Sequence, residues 1–183
     1  MRFNVIERTR KNSVSSAAGS KMSGLVSFSL DDRRFAIPLS AVKRIERIVA
    51  ITPLPKAPDI VVGIINFHGQ VIPVVDIRSR FNMTSRPLEL NDQLLIIQTG
   101  ARSIAFIVDY VDAVLDTSQD QCADAGSVLP GIEYVRGVVK LEDGMALIHD
   151  PDTFLSLDEG CALDEAMKEG QTAKRTEDRG KIG

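Results

Sequence analysis

Apolar residues along most of this chain recur at every second position or gather in short β-branched blocks, which is the period of strands rather than helices. Residues 25–30 alternate apolar and small polar side chains, Asp31-Asp32 is a turn signal, and residues 33–39 return, so a hairpin is predicted. Residues 42–49 follow with charges interleaved, and Pro53, Pro55 and Pro58 then impose an extended crossing. Two β-branched runs, 60–67 and 71–77, meet at His68-Gly69-Gln70, the composition of a tight turn. Pro73 cannot donate to a ladder, so a bulge or an edge is expected there. Residues 78–82 read as one helical turn. The same succession returns over 93–99, 103–108, 110–115, 135–141 and 145–149, with 116–130 as an inserted loop. Asp150 is placed to cap a short helix over 151–157, with Pro151 at its first position. Leu155, Leu163 and Met167 share one face of a helical continuation over 156–167. Ten short strands punctuated by turns predict an all-β fold of barrels or sandwiches.

The succession is a duplication. Gly63-Ile64-Ile65-Asn66-Phe67 lies on Gly137-Val138-Val139-Lys140-Leu141 at a shift of 74 residues, which also lays Val74 on Ile148 and Asp76 on Asp150. Upstream, a shift of 69 lays Leu25-Val26-Ser27-Phe28 on Leu94-Leu95-Ile96-Ile97, Val42 on Val111 and Ile45 on Val114. Two copies are too few for a solenoid or propeller, which need at least about three. A two-lobed body of paired small sheets follows, with barrel closure removing the edges that short sheets would expose.

Composition narrows the function. At 44% apolar content, 183 residues can bury a core without a metal or disulfide staple. The net charge of −3 offers no basic field for nucleic acid, and the absence of Trp with an aromatic share of only 5% weakens any reading based on stacked bases. A small-barrel nucleic-acid binder is the alternative from another class, and it demands salt-sensitive retention on single-stranded DNA. No apolar run approaches the roughly 20 residues of a membrane span. Cys122 and Cys161 are lone thiols without metal spacing, which predicts a reduced, cytoplasmic protein. Residues 1–23 predict a flexible lead-in and 166–183 a flexible charged tail.

No catalytic constellation, metal site or cofactor motif emerges. His68 and His149 are too few for a metal cluster, and Asp109, Asp112 and Asp116 lack the offsets of a calcium loop. Ser40, Ser103 and Ser156 have no elbow motif around them. Asp76 and Asp150 occupy equivalent places in the repeat, which predicts one structural job done twice: ending a strand and capping the turn beyond. Gly63 is expected where backbones approach closely or bulge, and Gly69 where a turn needs positive φ.

Residues 57–81, APDIVVGIINFHGQVIPVVDIRSRF, resemble the signature of the CheW-like chemotaxis coupling proteins. There a Gly, an apolar pair and Asn-Leu-Arg-Gly precede Val/Ile-Pro-Val/Ile-Val/Ile-Asp-Leu-Arg. The chain supplies Gly63, Ile64-Ile65, Asn66-Phe67-His68-Gly69 and Ile72-Pro73-Val74-Val75-Asp76-Ile77-Arg78. The resemblance extends over about residues 24–165. It implies two intertwined five-stranded SH3-like barrels, a first over about 24–82 and a second over about 92–150, with short helices after the fifth strand and at the C-terminus. It implies a stand-alone adaptor that bridges the regulatory domain of a chemotaxis histidine kinase to chemoreceptor tips, in arrays beneath the inner membrane. Other CheW-like domains are further partners. Val42, Arg44, Ile45, Gly63, Asn66, His68 and Gly69 become the expected contact residues, and Val42→Asp is expected to abolish kinase binding while leaving the fold intact. Two positions depart from the pattern: His68 stands where the family carries Arg, and Arg44 where it often carries a carboxylate. Retuned partner choice is one reading of that pair and drift in a degenerate copy is the other.

Overall fold

The structure, a computed structural model, describes residues 23–117, 122–124, 135–141 and 144–180, with side chains over 24–116, 135–141 and 144–170. The lead-in expected over 1–23 lies outside them except for Ser23, which opens the first strand. The strands are β1 (Ser23–Leu30), β2 (Arg33–Pro38), β3 (Val42–Arg47), β4 (Val61–Phe67), β5 (Gln70–Val75), β6 (Gln93–Gln98), β7 (Ser103–Val108), β8 (Tyr110–Thr117), β9 (Cys122–Asp124), β10 (Val135–Leu141) and β11 (Gly144–His149). Helix α1 spans Leu157–Gly180, and short 3-10 turns cover Ile77–Phe81 and Pro151–Thr153. Ten strands answer the ten expected; β9 is an addition inside the segment read as inserted loop.

The strands form two sheets, in the orders β3-β6-β7-β5-β4 and β8-β1-β2-β11-β10-β9. The sheets do not divide as the sequence copies do. One joins β3, β4 and β5 of the first copy to β6 and β7 of the second, and the other joins β1 and β2 of the first copy to β8, β9, β10 and β11 of the second, so neither sheet coincides with the expected 24–82 or 92–150 segment. The exchange is reciprocal down to single rungs. Val74 pairs with Ala105 in one parallel junction and Ile148 with Ala36 in the other, and these are equivalent residues of the two copies. Val42 faces Ile97 and Val111 faces Phe28, each followed by a bulge that skips one residue, Lys43 or Asp112. β4 and β10 shift register in the same way, skipping Val62 just before Gly63 and Arg136 just before Gly137. Pro73 behaves as its missing N–H requires: parallel pairing of β5 to β7 begins one residue later, at Val74.

This exchange explains the sequence pattern. Strand β7 is buried at every position, and β6 from Leu94 to Ile97. Leu94, Ile96, Ala105 and Ile107 fill the core of one lobe with Ile65, Ile72 and Val74. Their neighbours Leu95, Ile97, Ile104 and Phe106 face the other way, into a core shared between the lobes with Phe28, Phe35, Val42 and Val75. Leu25, Ala36, Val139, Ala146 and Ile148 fill the second lobe. Strands with both faces buried read as apolar runs rather than as alternation.

Helix α1 seals the shared core with Leu163 and Ala166, both buried. Arg102 pairs with Asp164, Arg80 with Glu159, and Arg80 Nε donates to the Phe154 carbonyl at 2.8 Å. The tail expected to be flexible from 166 is thus helical to Gly180. A docked apolar stripe supplies the nucleus that an isolated charged helix lacks.

Asp76 and Asp150 do the one job predicted for them: each ends its strand and accepts from the backbone N–H two residues on, at 3.0 and 3.1 Å. Beyond Asp76, Arg78 is buried to 1% exposure, which is tolerable only if its charge is met. Asp109, at the β7–β8 corner, meets it and also accepts from Arg86 at 2.7 Å and from the Asp31 N–H at 2.6 Å. Arg86 pairs with Asp92 at 2.6 Å. Partial burial alone would raise the Asp109 carboxyl, but the Asp31 N–H and the two guanidiniums hold it below the usual carboxylate range. A group depressed in this way adds stability above its unfolded pKa, and loses it as pH falls through the folded value. Asp109→Asn keeps the shape and removes the charge opposite Arg78, so denaturant titration at neutral pH is expected to show a loss of about 3–5 kcal/mol. The loss should shrink in acid, where wild type forfeits the same contribution; a variant as stable as wild type at pH 7 contradicts the assignment.

Candidate functional site

The seven residues expected to contact partners divide into two groups. Simple alternation along β3 would put Val42 and Arg44 on one face. The bulge at Lys43 breaks that alternation: Val42, 5% exposed, joins the shared core, Ile45 packs partly buried against it, and Arg44 faces solvent. Val42 is thus a core residue of this fold, and Val42→Asp, expected to leave the fold intact, would place a carboxylate in that core. Gly63 is likewise buried. A Cβ there would lie 2.3 Å from the Thr52 carbonyl oxygen, because Thr52 and Ile64 exchange two backbone hydrogen bonds, at 2.9 and 2.8 Å, across this point. Its expected role in close approach holds, and it is not a surface residue.

Arg44, Asn66, His68 and Gly69 remain exposed, and the fold brings them together. β4 and β5 are joined by the two residues His68 and Gly69, with φ of 50° and 84°. Positive φ at both positions is the type I′ geometry that suits the twist of a hairpin. Asn66 Oδ1 accepts from the Gly69 N–H at 3.0 Å and braces the turn. β3 and β4 are the two ends of their sheet's strand order, yet Arg44 of β3 reaches the β4–β5 turn. Its Cζ sits 5.4 Å from the centre of the Phe67 ring, and its Nη1 lies 3.5 Å from His68 Nε2. The His68 ring stands edge-on to Phe67 at 4.4 Å. Glu46 Oε1 is 3.5 Å from Arg44 Nε. The two departures from the family pattern are thus in direct contact. Phe67, which organises the cluster, was not among the expected contact residues; an aromatic beside a turn glycine was the signal available.

The duplication acts as an internal control. What the fold needs occurs twice: the glycine at the bulge, the capping Asp, the parallel rung. The charged cluster occurs once. The counterparts of Arg44, Asn66 and Phe67 are Ala113, Lys140 and Leu141, so the other lobe forms without an arginine or an aromatic at these places. His149, the other histidine, is fully buried and ringed by Phe35, Phe81 and Phe154 at 5.6, 4.6 and 5.6 Å. Among the described residues no group of His, Cys, Asp and Glu gathers to hold a metal.

Strand-exchanged lobes bearing one ordered charged surface define a β-rich interaction module. A family model described as CheW-like domain matches residues 24–159. The chemotaxis protein CheW of Treponema pallidum (strain Nichols) is 30% identical over 132 residues, covering 69% of this chain and 78% of that protein. The chemotaxis protein CheW of Rhizobium meliloti (strain 1021) is 28% identical over 137 residues, covering 74% and 88%. The crystal structure of the scaffolding protein TtCheW from Thermoanaerobacter tengcongensis matches with a TM-score of 0.69 at 26% identity, over 76% of this chain and 96% of that one. The chain belongs to the CheW-like family.

His68 holds a left-handed backbone that Asn adopts more readily, and Asn-Gly is the favoured pair for this turn. His68→Asn is expected to raise stability by about 1 kcal/mol, read as a higher thermal midpoint. An unchanged or lowered midpoint would show that the ring contacts with Phe67 and Arg44 outweigh the backbone cost.

Proposed function

We propose that this chain is a non-catalytic scaffold of bacterial chemosensory signalling, which couples a histidine kinase, through its regulatory domain, to the cytoplasmic tips of chemoreceptors. The match to the CheW-like domain over residues 24–159 carries this reading. The architecture suits it: two lobes locked by exchanged strands form a stiff spacer, and a stiff spacer can hold two partners at fixed separation. Each interface of such an adaptor is modest, about 800 Å² per partner or less. Strength then comes from many linked contacts in an array beneath the inner membrane. Arg44 and His68 support a variant of the same reading, an adaptor in a specialised or non-flagellar pathway with its own partner choice.

The test uses the behaviour of a bridge. The chain is titrated into a fixed mixture of receptor-bearing membranes and a chemotaxis histidine kinase of the same organism, and the kinase in the membrane pellet is measured. Pelleted kinase is expected to rise, pass through a maximum, and fall at excess chain, when separate molecules occupy kinase and receptor. A pellet that stays at its basal level at every ratio contradicts the proposal.

A further inference from the structure

We infer that α1 is a releasable strap: pinned at its first turn, it lifts from the body and bares the face of the shared core beneath it while both sheets stay folded. The pin is made twice over. Ser156 and Glu159 form a reciprocal cap, in which the Ser156 N–H donates to Glu159 Oε2 at 2.8 Å and the Glu159 N–H to Ser156 Oγ at 3.2 Å. Arg80 holds the same carboxylate, and its Nε binds the carbonyl of Phe154, two residues before the cap. Partial burial alone would raise the Glu159 carboxyl, but the Ser156 N–H and Arg80 keep it below the usual carboxylate range. Phe154 is itself fully buried, its ring 4.6 Å from that of Phe106, so the chain is anchored up to the start of the helix.

Beyond that turn the attachment thins. From Leu157 to Gly170 the helix carries Asp158, Glu159, Asp164, Glu165 and Glu169 against Lys168. The body meets three of these acids with cations from three separate segments: Arg80 beyond β5, Arg102 in the β6–β7 turn and Lys56 in the crossing between β3 and β4. The acid of each pair is more exposed the further along the helix it lies, from 25% at Glu159 to 52% at Asp164 and 59% at Glu169. Solvent screening rises in the same order, so the outer two pairs hold weakly. The apolar contact is short as well. Among the described side chains of α1 only Leu163 and Ala166 are buried, with Met167 half-buried beside them and Gly170 brought close to Leu54, whose Cδ1 would lie 3.3 Å from a Cβ at that glycine. Strand β6, by contrast, buries four residues in succession and β7 all six. Once lifted, so charged a helix lacks the packing that sustains its hydrogen bonds, and lifting therefore reads out as amide exchange within α1.

The experiment is residue-resolved hydrogen exchange of the full chain, with and without the outer ion pairs. In wild type the amides of Leu163, Ala166 and Met167 are expected to exchange at least about tenfold faster than the slowest amides of either sheet, through an opening of their own. Asp164→Asn combined with Glu169→Gln removes the outer two pairs and leaves Leu163 and Ala166 in place. Exchange within α1 should then rise by a further factor of about three to ten, with the sheet amides unchanged. A thiol reports the uncovered face directly: in a chain with Cys122→Ser and Cys161→Ser, Ala166→Cys should react with iodoacetamide at the pace of α1 exchange. If that variant does not fold, the exchange measurements decide alone. Helix amides that exchange only with the slowest sheet amides, an α1 unmoved by loss of the outer pairs, or a thiol at 166 that reacts only when the sheets open would each overturn the inference.

Discussion

Each lobe of this protein is incomplete without two strands from the other half of the chain. The parallel junctions Val74–Ala105 and Ile148–Ala36 are the seams at which the halves interlock. They force β6 and β7 to be buried on both faces, and they place a third apolar core between the two lobe cores. The exposed surface inherits its rigidity from that arrangement. β3 and β4 lie at the two ends of one sheet's strand order, yet Arg44 of one meets Phe67 and His68 beside the other. Buried and half-buried charges at the corners complete the lock: Arg78, Asp109, Arg86 and Asp92 tie the β1–β2 turn, the β7–β8 corner and the segment leading into β6.

Much of this was legible in the sequence. The repeat, the strands, the capping role of Asp76 and Asp150, and the close approach at Gly63 all follow from periodicity and residue chemistry. The intertwining was implied only by the family resemblance and not by the pattern, because a period of two states that a residue is in a strand, not which strand lies beside it. The bulge at Lys43 was equally hidden, and it alone moves Val42 from the expected contact face into the core. The C-terminal helix was underestimated because its charge-rich composition resembles a solvated tail. Leu163 and Ala166, with Arg80 and Arg102 waiting for Glu159 and Asp164, outweigh that composition through tertiary contact. The three residues of β9 carry no strand signal of their own and exist by pairing to β10.

The duplication also separates scaffold from specificity without any other sequence to compare. Features required to build a lobe recur at shifts of 69 and 74 residues; Arg44 and Phe67 do not. A histidine accepting a left-handed backbone where asparagine fits better points the same way, since function and stability favour different residues at such positions. The surface carries an arginine laid against an aromatic ring on a strand-exchanged body.

Hydrogen exchange measured across a denaturant series tests the interlocked architecture most directly. If each lobe depends on strands from both halves, the slowest amides of the two sheets share one global opening. Ile96 and Ala105 in one sheet should then lose protection at the same denaturant concentration as Ala36 and Val139 in the other. Loss of protection in one sheet while the other stays protected would show lobes that fold independently, and would contradict the account.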